Sequence, residues 1–113
     1  MDDLVAHIVA QTGVGPVVAR KAAISILEFL RREGPADKVK TLVDALGAGA
    51  ALGPIAGSSG GVMGVFNELT AAGLRLGDIQ AVARAFIGFA RTKAGVATVD
   101  AVVGAIPGLG QFV

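Results

Sequence analysis

The chain reads as an all-α protein: about six short helices, arranged as two duplicated three-helix units and joined by a Gly/Ala-rich hinge. Two observations carry this reading. The apolar residues recur at helical spacing between glycine and proline stops. The chain also matches itself without a gap at an offset of sixty residues, where Gly13 meets Gly73, Ala23 meets Ala83, Phe29 meets Phe89 and Arg31 meets Arg91. Further along, Val39 meets Val99, Val43 meets Val103 and Ala45 meets Ala105. Phe and Arg are scarce enough here that their coincidence points to an internal repeat.

The first unit covers residues 2–46. Asp2 and Asp3 suit a helix N-terminus, where the backbone dipole favours acids, and Leu4, Val5 and Ile8 form the apolar stripe that follows. Gly13 closes this helix in a left-handed conformation. Pro16 opens the next in its first turn, where a missing N–H costs nothing. Ala19, Ala22, Ala23, Ile26, Leu27 and Leu30 then mark one buried face. Arg31 and Arg32 complement the dipole at its end, and Gly34-Pro35 stops it. A third helix carries Val39, Leu42, Val43 and Leu46 inward, with Asp37 in its first turn.

The second unit covers residues 62–106 and repeats the plan. Asp78 reads as the N-cap of a helix with the stripe Ile79, Val82, Ala83, Phe86, Ile87 and Ala90. A last helix buries Val99, Val102, Val103 and Ile106, and residues 107–113 form a tail. Three short helices bury little alone, so the two units are expected to pack face to face with approximate twofold symmetry. Phe29 and Phe89, beside the main stripes at matching positions, are expected near that axis.

Between the units lies "GAGAALGPIAGSSGG" (47–61), with glycines at 49, 53, 57 and 61. No charge occurs from residue 45 to residue 67, long enough to span a bilayer if helical. Against that, each glycine costs about 1 kcal/mol in a water-exposed helix and an interior proline about 3, roughly ten in sum. A single crossing would also separate two units that belong together. The stretch therefore reads as a hinge. It is not a phosphate loop, because Gly61 is followed by Val62-Met63-Gly64 rather than Lys-Ser/Thr.

Composition excludes more than it assigns. Of 113 residues, 53% are hydrophobic, but mostly Ala, Val, Leu and Ile; the formal charge is +1. That charge provides no global attraction to nucleic acid or anionic lipid. With no cysteine there is no disulfide, no thiolate metal site and no cysteine nucleophile. The first residues lack a basic and then apolar leader pattern, so the expected location is the cytoplasm. The single His7 lies one turn from Asp3 and reads as half of an exposed ion pair. Ser58 and Ser59 have no expected base beside them. Neither catalytic residues nor a cofactor or metal site is expected, and the chain reads as non-enzymatic.

One local motif suggests a partner. "TGVGPVVARKA" (12–22) is similar to the hairpin of helix-hairpin-helix DNA-binding modules: Gly13-Val14-Gly15 matches the Gly-hydrophobic-Gly turn, and Ala19 falls where that motif prefers a small residue. The resemblance implies phosphate contacts by the backbone at Gly13 and Gly15, with charge added by Arg20 and Lys21. The corresponding place in the second unit, Gly73-Leu74-Arg75, lacks the second glycine. Membrane or apolar-ligand binding through the glycine-rich centre is a further alternative.

Over nearly its whole length, through "FLRREGPADKV" (29–39), the Gly-rich centre and the "AIPGLGQFV" ending, the chain resembles a group of small bacterial all-helical proteins catalogued only as a domain of unknown function. That resemblance implies a compact helical fold and transfers no activity. The leading expectation is protein association, with a second copy as the favoured partner, because apolar residues exceed what two small units hide and a homodimer extends an internal twofold. Phe29, Phe66, Phe89 and Phe112 are the expected contacts.

Overall fold

A computed structural model describes residues 2–47 and 61–106; the expected hinge and tail, with Ser58, Ser59 and Phe112, lie almost wholly outside these. The described residues form six helices and no strand: α1 (Asp2–Thr12), α2 (Pro16–Glu33), α3 (Ala36–Leu46), α4 (Gly61–Ala71), α5 (Leu76–Ala94) and α6 (Val96–Ala105). Thus α2 and α5, and α3 and α6, begin sixty residues apart.

The turns that end α1 and α4 are built on glycine but satisfy their backbone groups differently. Gly13 (φ 74°) donates its N–H to Val9 O at 2.8 Å, and the Val14 N–H is taken by the Thr12 hydroxyl at 3.2 Å. At the end of α4, Gly73 (φ 104°) donates to Thr70 O at 3.0 Å and Leu74 to Leu69 O at 3.1 Å. This is the crossed pair of a Schellman motif, and the accompanying apolar contact is present because Leu69 and Leu74 are both buried.

Pro16 opens α2 behind its N-cap Gly15, and Pro35 caps α3. α5 begins earlier than the sequence suggests. Arg75 is its N-cap, and Asp78 stands at the third helical position, where its carboxylate accepts the Arg75 N–H at 3.3 Å. An acid satisfies free N–H groups from either place, so the residue type alone does not set the start. Gly95 (φ 94°) by itself separates α5 from α6.

The core lies between the two long helices and the short ones laid across them. α1 packs on α5 and α4 packs on α2, so each short leading helix rests on the long helix of the other half. α3 packs against both α5 and α6. Ala19, Ala22 and Ala23 on α2 and Val82 and Phe86 on α5 are completely buried or nearly so. Small alanines permit close approach of backbones, and Phe86 is the largest of the fully buried side chains described. Among the described residues no polar or charged side chain is buried.

Phe29 is buried as well, at 2% exposure. Its expected place on an association surface is therefore corrected: α2 is covered by neighbours on several sides, so its buried arc is wider than one stripe. The expected His7–Asp3 ion pair is also absent among the described residues. His7 turns instead to the ring of Phe89 across the α1–α5 contact, with ring centroids 5.3 Å apart.

Candidate functional site

Among the described residues, a groove of about 620 Å³ lies between α1 and the first turns of α2. It follows from two stripes on one short helix. Leu4 and Ile8 point into the core, while Val5, Ala6, Val9 and Ala10 form a second, parallel stripe along the groove floor. From α2 the groove takes Pro16, Val17 and Arg20, residues that share a face by their spacing. Val17 is 69% exposed, more than any other large apolar side chain described.

At one edge the groove carries Asp2 and Arg20, the two charged side chains of its described lining. They approach to 3.5 Å, with the Asp2 side chain 96% and the Arg20 side chain 50% exposed. At that separation and exposure the pair contributes well under about 1 kcal/mol to the fold. Most of the hydrogen-bonding capacity of both groups stays directed to solvent.

The turn beside the groove bears on the nucleic-acid expectation. Gly13 and Gly15 are exposed and Val14 is half-buried against the core, while the Gly13 N–H that the hairpin resemblance assigns to a phosphate is donated to Val9 O. The two basic residues do not converge either. Arg20 lies on the α1–α2 groove with Asp2, whereas Lys21, the next residue, faces a smaller groove of about 370 Å³ between α2 and α4, whose lining includes Glu68. Consecutive helical residues point about 100° apart, so this division is built into the helix. Each cation also has an acid as its neighbour in the lining.

The aromatic residues expected at an association surface are differently placed. Phe66 and Phe89 are half-buried and packed against the core, and Phe29 lies within it. Among the described residues, the exposed large apolar side chains are instead Val17, Leu76 and Val96. All three stand in the first turn of a helix, ahead of its buried stripe. Their signal in the sequence was their failure to fit the periodic pattern, which had drawn attention only to the residues that did.

Among the described residues, no group of three or more His, Asp or Glu side chains is placed to hold a metal ion. No described helix is long and apolar enough to cross a membrane. In comparisons with family models, with curated proteins and with solved structures, the chain matches none.

Proposed function

We propose that this chain is a non-enzymatic, cytoplasmic helical module that associates with itself through the α1–α2 groove, and that it arose by internal duplication with approximate twofold symmetry. The single observation that carries the association reading is the apolar stripe Val5, Ala6, Val9 and Ala10, its alanines exposed and its valines half-buried, beside the exposed Val17. An apolar strip at i, i+1, i+4, i+5 spacing, lined by small residues, is the surface onto which another helix packs. The duplication is supported by the sixty-residue spacing of α2 with α5 and of α3 with α6, and by the crosswise packing of α1 on α5 and α4 on α2.

The nucleic-acid reading has weaker support, because Arg20 and Lys21 face different grooves and each has an acid as a neighbour. The membrane reading rests on the glycine-rich centre, most of which lies outside the described residues.

Light scattering on a sizing column, over a wide range of protein concentration, tests the association reading. The expected result is a mass that rises from monomer to dimer, and a Val17→Asp variant that stays monomeric. Val17 is exposed at the start of α2, where an acid is favourable to the helix dipole, so the substitution leaves the fold intact. A wild-type mass that stays at monomer throughout defeats the reading.

A further inference from the structure

We infer that the two copies meet about a twofold axis beside the Asp2–Arg20 pair, so that Asp2 of each faces Arg20 of the other. This rests on the association reading above and specifies its geometry.

The first argument is charge complementarity. A twofold contact brings the same patch of two copies together, so every group at the axis meets its own kind unless an opposite charge stands beside it. A patch bearing one sign of charge therefore repels its copy. The groove edge bears one charge of each sign, 3.5 Å apart. Laid against its copy, it makes a four-membered ring of alternating charge. The carboxylate of Asp2, 96% exposed and holding one long contact, has lone pairs to spare; the Arg20 guanidinium has further N–H donors. Each then gains a second partner of opposite sign without giving up the first.

The second argument is shape. Val17 and Arg20 are one turn apart on α2, and Asp2 and Val5 are one turn apart on α1, so an apolar side chain flanks each charge on the same face. Each copy presents a knob, the protruding Val17, next to a hole, the groove floored by Ala6 and Ala10. A surface that holds a knob beside a hole is self-complementary under a twofold. A neutral groove with a zwitterionic edge has no such fit to a nucleic acid or an anionic membrane. The contact is small, so the dimer is weak, with a dissociation constant in the micromolar range or above.

Two single variants, studied alone and mixed, test the arrangement. Asp2→Arg gives a chain with two cations at the groove edge, and Arg20→Asp a chain with two anions. Within either chain the pair is like-charged, so only contact between chains restores opposite charges. Each variant alone is expected to lose about tenfold or more in dimerisation, because like charges across an interface are strongly unfavourable. A one-to-one mixture is expected to form a heterodimer at least as readily as the wild type dimerises. Circular dichroism on each variant confirms folding, with Asp2→Lys and Arg20→Glu as replacements for one that does not fold.

If the variants alone dimerise as the wild type does, or their mixture does not, the ring is wrong. In that case a wild-type dimer that Val17→Asp still dissociates keeps the groove as the contact. A wild type that stays monomeric overturns both the ring and the groove.

Discussion

The imidazole of His7 on α1 lies against the ring of Phe89 on α5, with centroids 5.3 Å apart and planes inclined at 38°. The ammonium of Lys93, one turn further along α5, stands 5.5 Å from the centroid of the same ring. One half-buried phenyl group therefore serves two contacts, one across the helix pair and one along its own helix. Aromatic pairs of this tilted kind are worth about 0.5–1.5 kcal/mol beyond the area they bury. A double-mutant cycle with His7→Ala and Phe89→Leu is expected to give a coupling of about that size in urea unfolding. Simple additivity would mean that the rings touch without interacting.

Phe86, on the adjacent face of α5, is completely buried and is the largest such side chain described. Phe86→Ala is expected to cost about 3–5 kcal/mol, through lost transfer energy and the cavity left behind. Denaturant unfolding monitored by helical dichroism reads this directly. A cost near 1 kcal/mol would show that the surrounding side chains collapse into the space.

Two glycines make opposite predictions. Gly34, between α2 and α3, has no room for a side chain: an added Cβ would stand 2.8 Å from Leu30 O and 2.8 Å from Val39 Cγ2. Gly34→Ala is expected to destabilise by about 1–3 kcal/mol, as overpacking does. Gly88 lies inside α5 with nothing within 4 Å of an added Cβ, so Gly88→Ala is expected to stabilise by about 0.5–1 kcal/mol. Thermal melts of the two variants should move in opposite directions.

Asp78 supports the start of α5 through its bond to the Arg75 N–H. Replacing it with alanine is expected to cost about 0.5–1.5 kcal/mol, the net worth of one hydrogen bond, while Asp78→Asn should retain part of that. By contrast, Asp100→Ala breaks the exposed pair with Arg91, at 3.0 Å, and should change stability by less than about 1 kcal/mol.

Much of the helical plan was readable from residue order. Gly13, Gly34-Pro35 and the buried stripes locate α1, α2 and α3 closely, because a glycine or proline stop and a 3.6-residue period act within one helix. What was not readable depended on neighbours. Phe29 sits beside the alanine stripe, and its burial is decided by how many helices cover α2. His7 had Asp3 on its own helix, yet the partner it took was Phe89, far away in the chain. The groove was hidden for the same reason: Val5 and Val9 look like core residues and do pack partly against the core, and it takes the placing of α2 beside α1 to leave their other side lining a groove.

The crosswise packing of α1 on α5 also bears on synthesis. A chain emerging from a ribosome presents Leu4 and Ile8 long before α5 exists to pack on α1. At translation speeds of about 5–20 residues per second, that wait is on the order of ten seconds at the slow end. Throughout it α1 has only α2 to pack on, and the apolar side chains that α5 will cover are open to chaperones or to other growing chains on the same message.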